Sequence, residues 1–189
     1  MGIHDTDWCY ARTQARVRLR IDRLERVSEP EPTIRHAARA ILIDDQDRML
    51  LFRARLPGGN GPFIWITPGG GVDAGEEERA CVRREVFEET GLENAEVGPC
   101  VWRRDHTFRW GDGMLRQVEA YYVVRTAAFE VDVDNNPDDF EQTFLDGHRW
   151  FTHEELVAHE ETLVPANFAE LVEPLLRGEF PGTPITVGI

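Results

Sequence analysis

The segment that most constrains the fold runs from Gly70 to Leu92 and reads GGVDAGEEERACVRREVFEETGL. Its glycine-bounded start predicts a loop. The acids that follow predict the first turn of a helix, because negative side chains complement the helix dipole there; they are Glu76, Glu77 and Glu78. Gly91 is placed to end this helix, since glycine readily adopts the left-handed backbone of a C-terminal cap. The stretch therefore predicts a loop, one helix and a stop.

Three carboxylates share one face of this predicted helix. Glu85, Glu88 and Glu89 stand at positions i, i+3 and i+4, so we expect their side chains to converge. Like charges this close repel one another, and a hard divalent cation such as Mg²⁺ reverses that effect by binding the oxygens. Because Mg²⁺ also keeps phosphate oxygens in its shell, the spacing favours diphosphate chemistry. A solvated helix with an acidic face is the alternative for the three acids taken alone.

The whole segment resembles the box of the Nudix hydrolase family, which runs G-x5-E-x7-R-E-U-x-E-E-x-G-U with U an aliphatic residue. The specified positions are filled by Gly70, Glu76, Arg84, Glu85, Val86, Glu88, Glu89, Gly91 and Leu92. The neighbouring stretches FIWITPG and HRWFTHEEL are also similar to Nudix surroundings, so the resemblance spans residue 35 to about residue 178. We therefore expect a Nudix domain at residues 35–189, preceded by an N-terminal extension at residues 1–34.

This resemblance implies an α/β fold, namely an α/β/α sandwich around a mixed β-sheet, with the box forming a loop–helix–loop metal site. It also implies a pyrophosphohydrolase that cleaves a diphosphate bond in a nucleoside diphosphate derivative, such as a nucleotide sugar or a nucleoside triphosphate, by water attack on phosphorus. Two alternatives share the fold: a non-catalytic nucleotide-binding regulatory module and an isopentenyl-diphosphate isomerase-like enzyme. The complete box argues against both, and the sequence carries no signature for one particular nucleotide.

The resemblance also assigns roles within the box. Mg²⁺ or Mn²⁺ is expected on Glu85, Glu88 and Glu89, with the backbone carbonyl of Gly70 completing the shell. Arg84 is expected to orient a neighbouring glutamate by charge-assisted hydrogen bonds rather than to touch the substrate. The general base is expected to be a box glutamate, Glu85 first, or an acid from outside the box.

An acidic segment further along the chain offers such an outside acid. Glu141 precedes HRWFTHEEL, in the loop from which Nudix proteins often supply an extra acid, and Asp138 and Asp139 lie close to it. Because mobile loops are common places for catalytic groups, we expect Glu141 to join the catalytic site. A solvated acidic loop is the alternative.

The candidate substrate surface is a cluster of basic and aromatic residues on one predicted strand: Arg103, Arg104, His106, Phe108, Arg109 and Trp110. Aromatic rings can stack on a base and arginine can bind phosphate with two N–H groups, so Arg103, Arg109 and Trp110 are the predicted substrate-binding residues. Alternation along the strand puts His106, Phe108 and Trp110 on one face and Arg103, Asp105 and Arg109 on the other. A core face and a solvent face explain the same pattern.

Other local patterns predict hairpins, a further strand and two helix starts. The predicted hairpins join Arg35–Ile43 to Met49–Phe52 and Cys100–Trp110 to Met114–Arg125. The further strand is Phe63–Thr67. Capping boxes are predicted at Thr152–Glu155 and at Asn167–Glu170, with the second helix ending near Gly178.

Residues 1–34 allow two interpretations. Val17, Leu19 and Ile21 alternate with charged residues, as in a half-exposed strand, but together with Leu24 they also fit one helical face. The segment is either an arm that packs on a second subunit, giving a homodimer, or an edge extension of the same domain.

Composition limits the class of protein and its partners. The chain has 189 residues and a formal charge of −14, which disfavours binding to long nucleic acid because neutralising phosphates drives such binding. We find no signal peptide and no apolar run of membrane-spanning length. Cys9, Cys81 and Cys100 have neither metal-ligand spacing nor a disulfide framework. We therefore expect a cytoplasmic enzyme acting on a small nucleotide, away from membranes.

Overall fold

A mixed β-sheet with helices on both faces forms the domain. The computed structural model describes residues 31–55, 61–111, 113–135 and 145–188. The strands are β1 (Thr33–Ile43), β2 (Met49–Arg55), β3 (Phe63–Ile66), β4 (Gly69–Gly71), β5 (Val97–Trp110), β6 (Gly113–Arg125), β7 (Leu145–Phe151), β8 (Thr162–Val164) and β9 (Ile185–Thr186). The helices are α1 (Glu78–Thr90), α2 (His153–Val157) and α3 (Phe168–Leu176). The strand and arm alternatives for the N-terminal extension fall almost wholly on residues outside this description.

Strand β1 is the centre of the sheet. It pairs in parallel with β6 along its whole length, from Thr33 opposite Leu115 to Ile43 opposite Arg125. Its middle residues, Ala37 to Arg39, also pair antiparallel with the short strand β4, where the box begins. The predicted hairpin of β5 and β6 is confirmed by their antiparallel pairing, and β9 adds to the far edge of β5. Parallel and antiparallel pairs therefore occur in one sheet, as expected.

The predicted hairpin of β1 and β2 is correct only at its turn. Ile43 and Met49 face each other, and Asp44 closes the turn by accepting the backbone N–H groups of Gln46 and Arg48 at 2.9 and 2.8 Å. Beyond that pair the strands separate, because β6 and β4 already occupy the edges of β1. Strand β2 pairs instead with β3 and β7, so these two strands join the sheet through β2.

Two apolar clusters cover the two faces of the sheet. On one face, Val82 and Val86 of α1 are fully buried in a cluster with Ala38, Ala40 and Leu42. On the other face, the alternate β1 residues Ile41 and Ile43 belong to a cluster that includes the buried residues of α2 and α3: Leu156, Phe168, Ala169, Val172 and Leu175. Helices on both faces of a mixed sheet confirm the expected α/β/α arrangement.

None of the helices in the described ranges is long and apolar enough to cross a membrane.

The start of α1 differs from the prediction, and its end agrees. Glu77 is the extended N-cap residue, so only Glu78 lies in the first turn. Glu76 precedes the helix, where its carboxylate accepts the backbone N–H of Asp73 at 3.0 Å. Gly91 ends the helix in the left-handed conformation, with φ of 73°, and its N–H donates to the carbonyl of Phe87.

Of the two predicted capping boxes, the first is confirmed and the second is wrong. Thr152 accepts the backbone N–H of Glu155, whose carboxylate accepts the N–H of Thr152 in return. Asn167 instead has a left-handed backbone and makes no side-chain cap bond, since a capping residue needs extended dihedral angles to aim its side chain at the first turn. Helix α3 ends at Leu176, two residues before Gly178.

Candidate metal centre and substrate pocket

The carboxylate face of α1 is partly enclosed by the protein. Glu85 and Glu89 are 5% and 7% exposed, unusually low values for carboxylates. The described residues hold no three His, Cys, Asp or Glu side chains already grouped to bind a metal ion. Binding of a metal ion by Glu85, Glu88 and Glu89 stays a prediction. Hydrogen-bond donors relieve the repulsion between these acids: Arg84 contacts both Glu85 and Glu88, and the backbone N–H of Gly69 binds Glu89.

Arg84 is the first of these donors. Its Nη1 lies 2.7 Å from Oε1 of Glu85 and 3.1 Å from Oε2 of Glu88. Its Nε and Nη2 bind both carboxylate oxygens of Glu76 at 3.0 and 2.9 Å, and Nη2 also donates to the carbonyl of Gly71. Hydrogen bonding from Arg84 lowers the pKa of Glu76. One guanidinium thus joins the loop to the helix, a geometry that suits the expected orienting role.

The glycine loop, Gly69–Gly71, supplies the remaining contacts to these carboxylates. The backbone N–H of Gly69 donates to Oε2 of Glu89 at 2.7 Å. A Cβ atom on Gly70 would lie 2.5–2.6 Å from the carboxylate of Glu85, so only glycine lets that carboxylate approach the backbone here. Burial raises the pKa of Cys81 to about 12, so its neutral thiol is a donor placed 3.7 and 3.3 Å from the carbonyls of Gly70 and Gly71.

A pocket of about 160 Å³ opens beside this loop, on the sheet face opposite α1. The side chains of Phe108 and Trp110, with Ile64, Ile66 and Val164, form its apolar wall. Its charged groups are four arginines and one acid: Arg35, Arg39, Arg55, Arg104 and Glu119. The pocket is therefore positively charged in a chain of net charge −14.

A second pocket, of about 500 Å³, lies beside Glu89. Among its described lining residues are three acids, Glu89, Asp134 and Asp146, and no arginine. Leu145 and Asp146, at the start of β7, also line it. This acidic pocket is larger than the basic one, but its described lining offers an anion no arginine.

The structure separates the predicted substrate residues. Trp110 lines the basic pocket, on the same face as His106 and Phe108, as alternation predicted. Arg103 is on the opposite face, where its Nη1 and Nη2 bind the carboxylate of Glu78 at 2.6 and 2.9 Å. Arg109 alternates with Trp110 and is exposed, away from the described pocket lining. Neither Arg103 nor Arg109 lines this pocket, and their role in substrate binding stays a prediction.

The sequence analysis did not single out five charged or amide residues of the pocket lining: Arg35, Arg39, Arg55, Gln117 and Glu119. Arg104 was part of the candidate substrate surface, and it shares the alternation of His106, Phe108 and Trp110. Gln117 and Glu119 had a weaker signal, as alternate polar residues on one face of their strand. The three other arginines had none beyond their charge. The predicted outside acid Glu141, with Asp138 and Asp139, lies outside the described residues.

The comparison with protein families agrees with the box. A family model described as the NUDIX domain matches residues 33–172. Nudix hydrolase 26, chloroplastic, from Arabidopsis thaliana is 26% identical over 107 residues, which are 51% of this chain and 50% of that protein. Nucleoside triphosphatase NudI from Enterobacter sp. (strain 638) is 30% identical over 118 residues, which are 61% of this chain and 80% of that protein. The chain thus spans half the length of the first relative.

Solved structures show the same fold. The MutT protein from Methanosarcina mazei Go1 has a TM-score of 0.56 at 21% identity, covering 78% of this chain and 96% of that one. The MutT NUDIX hydrolase from Burkholderia pseudomallei has a TM-score of 0.50 at 28% identity, covering 72% and 95%. Since the family model covers most of the chain and includes a complete box folded as loop and helix, the chain belongs to the Nudix hydrolase family.

Proposed function

We propose that this chain is a divalent-metal-dependent pyrophosphohydrolase that cleaves a diphosphate bond of a nucleotide derivative by water attack on phosphorus. One observation carries the proposal: the buried carboxylates of Glu85 and Glu89 pack against the Gly69–Gly70 backbone inside a complete box. The relative NudI is named a nucleoside triphosphatase, which supports a nucleotide as substrate. A nucleoside triphosphate and a nucleotide sugar are both consistent with this proposal.

The donor atoms of the box fit Mg²⁺ or Mn²⁺. Glu85, Glu88, Glu89 and the Gly70 carbonyl offer oxygen only, which is what these cations prefer. A bound cation would acidify the attacking water and neutralise charge on the phosphates. Arg84 would orient the carboxylates of Glu85 and Glu88, which it contacts. Glu85 is our candidate to accept the proton from water, since it is held against the loop by Arg84 and the Gly70 backbone.

We place the organic part of the substrate in the basic pocket. Ligand sites for whole drug-sized molecules measure roughly 300–1,000 Å³, so a pocket of about 160 Å³ suits a single ring system. Phe108 and Trp110 can stack on a base, while Arg35 and Arg55 can bind phosphate. Trp110 keeps its proposed substrate role, and Arg103 and Arg109 stay predicted substrate-binding residues outside this pocket.

Glu141 stays a proposed catalytic residue from outside the box. The acidic pocket beside Glu89 is lined by Leu145 at the start of β7, and Glu141 lies four residues earlier in the chain. Four residues span at most about 14 Å, which limits how far Glu141 can lie from Leu145.

The cell compartment and the oligomeric state also stay proposals. Cys81 and Cys100 are free thiols, which fits a reducing compartment such as the cytoplasm. A homodimer formed through residues 1–34 is tested by light scattering of the full chain and of a chain beginning at Pro32.

The test of this function is a pyrophosphatase screen with Mg²⁺ and with Mn²⁺ across nucleoside triphosphates, nucleotide sugars and dinucleoside polyphosphates. Turnover that disappears with chelator and in Glu85→Gln supports the proposal. Nucleotide binding without turnover of any substrate indicates the regulatory module instead. Isomerisation of isopentenyl diphosphate, with no nucleotide turnover, indicates the isomerase-like alternative.

A further inference from the structure

A buried cluster of charges forms the floor of the basic pocket. The carboxylate of Glu119 is 1% exposed, and its Oε1 accepts Nε of Arg39 at 2.5 Å and Nε2 of Gln117 at 2.7 Å. Its Oε2 accepts the hydroxyl of Tyr121 at 3.1 Å and lies 3.2 Å from Nη1 of Arg104. Burial by itself raises the pKa of Glu119, but the two arginines outweigh it and lower that pKa to about 2. The carboxylate is therefore ionised, and it accepts three hydrogen bonds and forms a further ion pair with Arg104.

Such a cluster is a poor means of stabilising a fold. Replacing buried ion pairs by well-packed apolar residues is often neutral or stabilising, because desolvation offsets the attraction between the charges. The position of this cluster, between β1, β5 and β6 and next to the box, offers a different reason for it. Arg39 is the member of the cluster that also contacts the backbone at the start of the box.

The guanidinium of Arg39 has a second set of contacts. Its Nη1 donates to the backbone carbonyls of Thr67 and Gly69 at 3.1 and 3.0 Å. Gly69 in turn donates its N–H to Glu89. Arg39 therefore connects Glu119 to the backbone carbonyls of Thr67 and Gly69, and through Gly69 to one of the box carboxylates.

The glycine loop needs such support because it has almost no side chains of its own. Strand β4 consists of three glycines and pairs with β1 over only three residues. Glycine is the residue with the most backbone freedom, so its backbone is poorly fixed by local preference. At Gly69 the φ angle is +129°, and a Cβ would lie 2.4 Å from the carbonyl oxygen of Ala38. Two hydrogen bonds from one planar guanidinium fix the direction of the carbonyls there.

We propose that Arg39, held by Glu119, is a positioning residue that fixes the glycine loop and thereby sets the Gly70 carbonyl and the Glu89 carboxylate for the metal ion. This inference rests on the proposed function, because it concerns the metal of that reaction. The same cluster also lines the pocket proposed for the organic group. One set of buried residues would therefore support both the metal site and that pocket.

The test compares Mn²⁺ binding, measured by electron paramagnetic resonance without substrate, with steady-state kinetics. Arg39→Lys keeps the charge but loses the planar set of donors. Since groups that support metal ligands are commonly worth about 10–100-fold in affinity or activity, the Mn²⁺ dissociation constant should rise about tenfold. Turnover should fall about tenfold or more, with KM for the nucleotide changed less than about threefold. The control is Arg116→Lys, which alters an exposed salt bridge with Asp105 away from the pocket lining. This variant should change none of these values.

The variant Glu119→Gln is a second test of the inference, and it leaves Arg39 in place. It keeps the shape of the side chain and removes the charge that holds Arg39, so the same loss of Mn²⁺ affinity is expected. Either variant, folded by circular dichroism and binding Mn²⁺ as tightly as wild type, overturns the inference. So does a raised KM with unchanged Mn²⁺ affinity, because Arg39 would then be a substrate contact. Wild-type protein that binds no Mn²⁺ overturns the proposed function as well, which separates the two failures.

Discussion

Replacing Gly70 by alanine tests whether the contact between Glu85 and the glycine loop is needed for catalysis. The new Cβ would lie 2.5–2.6 Å from the Glu85 carboxylate, whereas ordinary contacts begin at 3.4 Å, so the carboxylate must retreat by roughly 0.8–0.9 Å. A misplacement of about 1 Å can lower a rate by about 100-fold, which corresponds to about 2.7 kcal/mol in the barrier. We therefore expect Gly70→Ala to lower turnover by about two orders of magnitude.

Stability should change little in the same variant. The crowded atoms are the far end of a flexible side chain, so the unfolding free energy should fall by less than about 1 kcal/mol and Tm by less than about 4 °C. The assay is turnover of the best nucleotide from the screen at saturating Mg²⁺, together with thermal unfolding. Gly182→Ala is the matched control, because a Cβ there meets nothing within 4 Å. Turnover of Gly70→Ala within about twofold of wild type refutes the reasoning.

Four further predictions follow from the site. Glu88→Gln should lower turnover by about two or more orders of magnitude with Tm retained. Glu141→Gln, measured beside it, should slow the chemical step and leave Tm nearly unchanged. Wild-type rates in folded Glu88→Gln would remove that residue from the metal site. Arg84→Lys should lower turnover more than it raises KM, whereas lost affinity with intact turnover would make Arg84 a substrate ligand. The pKa of Glu119 is depressed from 4.5 to about 2, so its ionised form stabilises the fold above pH 4.5 and that contribution, on the order of 3 kcal/mol, is lost as pH falls toward 2. Urea unfolding should show the stability gap between wild type and Glu119→Gln narrowing over this range, and a constant gap would contradict the assignment.

The box could be predicted because its geometry is local. Positions i, i+3 and i+4 share a helical face whatever the rest of the fold does, and Gly91 ends α1 where its backbone freedom placed the stop. The capping box at Thr152 has the same local origin. What local spacing could not give is the direction of each carboxylate. The carboxylate of Glu89 accepts the N–H of Gly69, twenty residues earlier, a contact that helical spacing alone does not predict.

The polar floor of the pocket could not be predicted because its partners are distant in the sequence. Arg39 and Glu119 are 80 residues apart and meet because β1 and β6 pair in parallel, which no turn sequence encodes. Alternation along β5 was correct, but it gave no reason to prefer one face. Both faces of β5 carry arginine. The salt bridge to Glu78 shows that the side chain of Arg103 lies on the side of α1.

The parallel pairing of β1 with β6 also has a consequence for the order of folding. The first strand of the domain finds its longest partner only when about 80 further residues have been made, and closing so long a loop is slow. Helix α1 and the hairpin of β5 and β6 can form from neighbouring residues alone. The position of the glycine loop cannot be fixed by neighbouring residues alone, because Arg39 has no Glu119 to bind until β6 is in place. During synthesis helix α1 should therefore form before the candidate site is complete. A nascent chain ending before Gly113 would leave one whole edge of β1 open to pairing with other chains.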